Sequence, residues 1–142
     1  MNRDLIKEAT DIVIDVMTVP TQPPRLGLDL DGTITEAPEF FKMLSEIWPN
    51  YVYVITYRSD YEKAKKDVDS YGINYEELIL VDSFEKKAEV IVEKEIGVYF
   101  DDQPEMLKNI TKGVQVMLVR NEGNFDFGDK RWMMSNITGK IV

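Results

Sequence analysis

The segment Gly27-Leu28-Asp29-Leu30-Asp31-Gly32-Thr33 decides how this chain is expected to fold. Apolar residues that follow Pro23-Pro24 and end at an Asp-Gly pair predict a short buried strand with a turn behind it. Asp29 and Asp31 lie two residues apart, so in extended backbone both carboxylates point to one face. Gly32 lets the chain turn where a β-carbon would clash. Carboxylates at the carboxyl end of a parallel strand lie where open α/β sheets bind ligands. Taken alone, the Asp-Gly pair favours a solvated turn after an edge strand, and the rest of the chain decides between the two interpretations.

The composition is that of one globular domain. A chain of 142 residues can bury about 68% of the surface that its unfolded form exposes. No apolar run approaches the ~20 residues of a membrane span, and the N-terminus lacks a signal-peptide pattern. We therefore expect a cytoplasmic protein with no membrane partner.

Two residue types are missing from the chain, and their absence limits its chemistry. The sequence contains no cysteine and no histidine. This excludes disulfides, thiolate catalysis, Cys-ligated zinc, a Ser-His-Asp triad and a histidine general base. The net charge of −9 also makes nucleic acid an unlikely partner, because binding its backbone needs lysine and arginine. Carboxylates, hydroxyls, lysine, arginine or an oxygen-bound metal must carry any chemistry.

The first 24 residues are predicted to precede an α/β domain over residues 25–142. Apolar residues at helical spacing predict an amphipathic helix over 3–17, although the β-branched residues of 12–19 would also suit a strand. Residues 21–24 form a stiff proline connector. The apolar stripe of this helix must be buried. It could pack on its own sheet, form a homo-oligomer contact, or partly roof the cleft of a neighbouring subunit.

Strands and helices alternate after the connector. The first strand is followed by predicted helices over 38–48, 60–72, 83–95 and 103–110, and by predicted strands over 51–55, 78–81, 98–100 and 114–119. We expect Gly97 to close the third of these helices. This alternation predicts a three-layer, Rossmann-like α/β fold: a parallel sheet with helices on both faces. The intervals from Thr33 to Tyr51 and from Thr56 to Lys87 are both too short to hold a cap domain of ~50 residues.

Polar side chains follow several of the predicted strands. Thr56 follows the second strand and Asp101-Asp102 the fourth, while Lys86 or Lys87 begins the helix after the third. Each could be a helix cap or a solvated charge. Helix capping, however, does not explain why all of these residues are predicted to lie at the same edge of the sheet as Asp29.

These four motifs resemble the haloacid-dehalogenase-like (HAD) superfamily over residues 25–120. The residues that carry the resemblance are Asp29-Leu-Asp-Gly-Thr33, Thr56 at the end of Tyr-Val-Ile-Thr, Lys87, and Phe100-Asp-Asp102. The segments Val-Ile-Thr-Tyr-Arg and Phe-Asp-Asp-Gln-Pro look most like small nucleotidase-type members. The resemblance implies that residues 25–142 are the catalytic domain of a capless phosphatase acting on a small phosphorylated metabolite or nucleotide.

The resemblance also implies roles for the site residues. Asp29 would be the nucleophile that forms an aspartyl-phosphate, and Asp31 the general acid and base. Thr56 would bind a phosphoryl oxygen and Lys87, rather than Lys86, would neutralise charge. Mg²⁺ would be held by Asp29, the Asp31 carbonyl and Asp102, with Asp101 in support; which of the last pair touches the metal stays open. The candidate substrate contacts are Gly32, Thr33, Tyr57 and Arg58, with Glu36, Phe40 and Phe41 flanking the site.

The repulsion between carboxylates and a phosphate shows why a cation is needed. A carboxylate ~5 Å from a phosphate charge is repelled by about 3 kcal/mol at an effective dielectric near 20. Several carboxylates would therefore exclude the substrate, and a hard divalent ion with oxygen ligands reverses the sign.

Three rival interpretations remain. A phosphoacceptor receiver domain also gathers acids, a threonine and a lysine, but in a different order along the chain. A HAD-fold module could bind a ligand without turnover. A phosphatase could act on nucleic-acid ends or on protein, which the negative charge disfavours.

Overall fold

A computed structural model of the chain describes residues 22–103, 109–110 and 112–121. Five strands form one parallel sheet in the order β3-β2-β1-β4-β5. They are β1 (Arg25–Leu28), β2 (Val52–Thr56), β3 (Glu77–Leu80), β4 (Ile96–Asp101) and β5 (Gln115–Leu118). The strand of the 27–33 segment is thus the central one, buried rather than at an edge.

Three helices connect the strands, and their sequences set where they begin. They are α1 (Pro38–Ile47), α2 (Tyr61–Ser70) and α3 (Phe84–Glu93). Pro38 stands at the first helical position of α1, where its missing N–H costs nothing. The side chains of Asp60 and Ser83 cap α2 and α3 by accepting the backbone N–H of the residue three positions later, each at 3.1 Å.

Apolar side chains leave the sheet on both faces, as the alternation of strand residues requires. One buried cluster joins the sheet to α1 and α2 and includes Leu26, Leu28, Val52, Val54, Phe41, Ala64 and Val68. The other joins the opposite face to α3 and includes Tyr53, Ile55, Tyr99 and Ile91. The predicted three-layer α/β architecture is confirmed.

The start of β4 differs from the sequence prediction. Gly97, expected to close a helix, lies inside β4, and α3 instead ends before Glu95, whose φ of 54° is the left-handed turn. Gly97 is needed for a close approach, since a β-carbon there would lie 2.6 Å from Pro24 Cβ. The register between β1 and β4 also shifts here, with Arg25 opposite Ile96 and Leu26 opposite Val98. A glycine that prevents a clash is indistinguishable in sequence from one that caps a helix.

Several predictions concern chain outside the described residues. These are the helix over 3–17, most of the helix over 103–110 and the tail over 122–142. Between β1 and the end of β4 the chain adds to the elements given above only a π-helical turn (Leu30–Ile34), and no inserted domain interrupts them. No helix in the described part of the chain is long and apolar enough to cross a bilayer.

Candidate active site

Three neighbouring strands end at the candidate site. β1 lies between β2 and β4 in the sheet, and Asp29 directly follows its last residue. Thr56 ends β2 and Asp101 ends β4. Parallel strands bring their carboxyl ends to one edge, so residues from distant parts of the sequence meet there.

Lys87 is the cation that reaches this edge. Its side chain is 2% exposed, and Nζ lies 2.7 Å from Asp29 Oδ1 and 2.8 Å from Asp101 Oδ2. Lys86 has a 59% exposed side chain and pairs with Glu89 on the outside of α3. Successive helical residues point ~100° apart, so only one of the two lysines can contact the carboxylates.

The buried charges of the site do not balance. Asp29, Asp101 and Asp102 are buried, and Lys87 is the only buried cationic side chain in the described ranges. Burial raises the pKa of Asp29 to about 7; the charge of Lys87 opposes this shift and that of Asp101 adds to it. Burial by itself would lower the pKa of Lys87, but the two neighbouring carboxylates raise it above its ordinary value. The ammonium therefore stays charged, and the cluster holds an excess of negative charge.

This excess fits a hard divalent cation. One oxygen from each of Asp29, Asp101 and Asp102 lies within 4.8 Å of the other two. Buried carboxylate oxygens are the ligands that Mg²⁺ prefers. A doubly charged ion at this position would also lower the pKa of Asp29.

Asp101 and Asp102 have different surroundings in the site. Asp101 Oδ2 accepts from Lys87 Nζ and from the Tyr99 hydroxyl at 2.7 Å, and Oδ1 accepts from the backbone N–H of Gln103 at 2.9 Å. Three donors thus occupy a carboxylate that has about four lone-pair positions. Asp102, by contrast, lines the site cavity. Burial raises the pKa of the Tyr99 phenol well above its ordinary range, so this hydroxyl remains a donor.

The turn after β1 holds Asp29 in place. Thr33 is buried, and its hydroxyl donates to Asp29 Oδ2 at 3.0 Å. Gly32 has φ of 83°, and a β-carbon there would overlap the Asp102 carboxylate. The turn therefore needs glycine both for its backbone conformation and for the close approach of Asp102.

Thr56 is a buried residue whose hydroxyl is unused. It is 1% exposed, and its Oγ1 has no hydrogen-bond partner within the described portion of the chain. Because an unpaired buried hydroxyl is costly, this one is a donor available to a ligand in the cavity that it lines.

Asp31 is held by an arginine that the sequence did not assign to it. The Asp31 carboxylate accepts two hydrogen bonds from Arg58, at 2.7 Å from Nε and 2.6 Å from the terminal nitrogen Nη2. Arg58 also donates to Asp67 on α2 at 2.7 Å. The Arg58 hydrogen bond is the main reason that the pKa of Asp31 lies below its ordinary value.

One cavity of about 440 Å³, which we call the site cavity, collects most of the candidate residues. Its lining includes Asp29, Asp31, Thr56, Tyr57, Lys87 and Asp102. Glu36, Phe40 and Phe41 are not part of this lining, and Phe41 belongs to the core beneath the sheet. The residues predicted to act together are thus brought together, and the predicted flanking aromatics are not.

Sequence reasoning missed the residues that hold the site together. Tyr99 could have been found, because it lies two residues before Asp101 and shares its face of the strand. Asn121 could not, since it follows β5 with no pattern around it; its amide donates to Gly32 O at 2.9 Å and to Asp102 Oδ2 at 3.1 Å.

No protein-family model matches the chain, and no curated protein matches it in sequence. Two solved structures are similar in fold. The crystal structure of a universal stress protein in complex with cAMP aligns at a TM-score of 0.47 and 7% identity, over 70% of this chain and 100% of that one. The NMR structure of the core domain of a presumed phosphoglycolate phosphatase from Streptococcus pneumoniae aligns at 0.45 and 19% identity, over 77% of this chain and 93% of that one. Similarity at this level carries no information about activity.

Proposed function

We propose that this chain is a HAD-like phosphatase: a Mg²⁺-dependent phosphomonoester hydrolase that acts through an aspartyl-phosphate. The observation that carries the proposal is the buried Asp29 carboxylate at the end of the central strand, held by Lys87 and Thr33 in a cavity that Asp31, Thr56 and Asp102 also line. The substrate is a small phosphorylated metabolite or nucleotide, in keeping with the resemblance of the motifs.

Asp29 is suited to be the nucleophile. Lys87 and Thr33 each donate to a different oxygen, which fixes the orientation of the carboxylate and leaves lone pairs on both atoms. In the first step a carboxylate oxygen attacks phosphorus, and the bond from phosphorus to the leaving oxygen breaks. The products are an acyl phosphate on Asp29 and the leaving alcohol.

Asp31 is suited to move the proton. It donates a proton to the leaving oxygen and then takes one from the water that attacks the aspartyl-phosphate. The second step breaks the bond from phosphorus to Asp29, releases inorganic phosphate and returns both carboxylates to their starting forms. Arg58 stabilises the Asp31 carboxylate, so the acid role requires this contact to open; the phosphate dianion competes for the same guanidinium.

The remaining residues stabilise the transferred phosphoryl group. The free hydroxyl of Thr56 is a donor for one phosphoryl oxygen, and the Lys87 ammonium is a fixed positive charge beside the nucleophile. Mg²⁺ would be held by Asp29, the Asp31 backbone carbonyl and Asp102, with Asp101 orienting Lys87, and would neutralise the charge between carboxylates and phosphate.

Phosphate release from phenyl phosphate, with and without Mg²⁺, tests the proposal. Asp29→Asn should lower turnover by at least ~10³-fold, because an amide cannot form the acyl phosphate. Asp69→Asn, on the exposed end of α2, is the matched control and should retain activity. Acid quenching of the wild type should trap a phosphoryl group on the peptide that contains Asp29.

Three results would contradict the proposal. Turnover by Asp29→Asn would exclude the covalent mechanism, and turnover in excess chelator would exclude the metal. A folded wild type that releases no phosphate from any of a panel of monoesters would favour the module that binds without turnover.

A further inference from the structure

A second and larger cavity lies beside the site cavity. It has a volume of about 790 Å³ and is bounded by the loops that follow β2 and β3 and by the first turns of α2 and α3. We call it the side cavity. Tyr57 belongs to the lining of both cavities, so the two are adjacent at this residue.

One part of the side cavity is apolar. Leu80, Val81 and Val90 line it, together with the ring of Tyr57. Tyr57 is 58% exposed, and its ring lies 6.2 Å from that of Phe84 at an interplanar angle of 48°. An exposed aromatic ring at the junction of two cavities offers a surface on which a flat group can stack.

The rest of the side cavity is polar. Arg58, Lys63 and Lys86 line it together with Asp60 and Asp82. Arg58 is already paired with Asp31 and Asp67, so its charge is neutralised within the protein. The Asp60 side chain accepts the capping hydrogen bond at the start of α2.

Two of these cations can accept a new partner. Lys63 has no ion pair in the part of the chain that the structure describes, and its charge contributes to lowering the pKa of Asp31, which indicates that it lies near the site. Among the described residues Lys86 pairs with Glu89 alone, and both side chains are more than half exposed. Such a surface pair contributes little and is easily exchanged.

We infer that the side cavity binds the leaving group, and that the substrate is a phosphomonoester whose leaving group combines a flat apolar body with a second anionic group. The flat body stacks on Tyr57 over Leu80, Val81 and Val90, and the second anion pairs with Lys63 and Lys86. This inference rests on the proposed function, because it takes Asp29 as the point where the phosphate binds.

A matched pair of substrates tests the anionic part. The ratio of kcat/KM for 4-carboxyphenyl phosphate to that for phenyl phosphate should exceed the ratio of their uncatalysed rates, and should fall as salt is added. Lys63→Ala should lower this ratio about fivefold, and Lys63→Glu should lower it further. Lys66→Ala removes a lysine from the same helix that lines neither cavity, and should leave the ratio unchanged.

A second pair tests the flat surface. Tyr57→Ala should raise KM for phenyl phosphate more than for ethyl phosphate. Tyr61→Ala, also an exposed tyrosine but outside both cavity linings, should raise neither.

The possible failures can be told apart. If phenyl phosphate is hydrolysed but the carboxylate substrate gains nothing and Lys63 has no effect on the ratio, the side-cavity inference is wrong and the phosphatase proposal stands. If neither aryl phosphate is hydrolysed but another phosphomonoester of the panel is, the side-cavity inference is wrong and the phosphatase proposal stands. If no monoester of the panel is hydrolysed, both are overturned.

Discussion

At the scale of single residues, Asp29 makes the stability of the fold depend on pH. Its pKa rises from 3.8 to about 7 on folding, so between these values the folded state holds a proton that the unfolded state has released. The contribution of Asp29 to stability therefore decreases as pH rises through this window. Mg²⁺ competes with that proton, and we expect it to raise Tm more near about pH 8 than near about pH 5.

Thermal unfolding with and without Mg²⁺ at the two pH values measures this difference in Tm. The Asp29→Asn variant shows how much of the difference is due to Asp29. Other carboxylates change stability in the opposite direction, since the pKa of Asp31 is lowered and its contribution is lost as pH falls. The variant should show a smaller Mg²⁺ effect at both pH values. An equal increase of Tm in wild type and variant would place the metal elsewhere.

Thr56 separates function from stability. Its buried hydroxyl has no partner among the described residues, so Thr56→Val should leave the free energy of unfolding unchanged or raise it. The same change should lower kcat/KM about 10²-fold if the hydroxyl binds a phosphoryl oxygen. Thr33→Val, which removes a bonded hydroxyl, should instead cost about 1 kcal/mol in urea unfolding. A Thr56 variant with full activity would remove this residue from the site.

The two adjacent lysines give a sharper contrast. Lys87→Ala leaves buried carboxylates without their cation, and should lower the free energy of unfolding by about 3–5 kcal/mol and impair turnover. Lys86→Ala should change stability by no more than about 0.5 kcal/mol. Denaturant unfolding of both variants measures this, and the reverse order would move the site lysine by one position.

At the scale of elements, the turn between α3 and β4 tests the corrected position of Gly97. Gly97→Ala should cost about 1–3 kcal/mol, because the new methyl group meets Pro24. Glu95→Gly should raise stability by about 0.5 kcal/mol by relieving a positive φ. Glu93→Gly, two residues earlier and at the last residue of α3, should lower stability by up to about 1 kcal/mol. Equal effects at Glu95 and Glu93 would contradict the observed end of the helix.

The same elements show what sequence can predict here. Apolar periodicity and turn residues identified the five strands and the three helices, because these signals are local, and only the start of β4 was placed two residues late. The residues at the strand ends could be grouped, since parallel strands share an edge. The contact between Arg58 and Asp31 could not be predicted, because it depends on the direction in which a long side chain leaves a loop. The same holds for Asn121 and for the order of the strands.

At the scale of the whole molecule, the site has no lid among the described elements. The chain between β1 and β2 forms one turn and α1, and the chain between β2 and Lys87 adds only α2, β3 and the start of α3. No cap domain is therefore inserted between β1 and Lys87.

The exposed apolar residues of α1 are a candidate packing surface for the first 20 residues. Phe40, Met43 and Ile47 are between 45% and 67% exposed and follow one another at helical spacing. The connector ends beside them, since Trp48 and Asn50 donate to the carbonyls of Pro24 and Pro23 at 2.8 and 2.7 Å. The described chain thus begins next to an apolar stripe that has no cover among the described residues.

Removal of residues 1–20 tests whether the amphipathic pattern over 3–17 provides the cover. If the predicted helix packs on α1 of its own chain, the truncated protein should have a lower Tm and bind more of a hydrophobic dye, because the stripe on α1 becomes accessible. Its mass in light scattering should match that of a full-length protein without the 20 residues, and phenyl phosphate turnover should be kept. A fall to half the mass would instead assign the helix to a homo-oligomer contact, and a loss of turnover with the mass unchanged would make it a lid over the site.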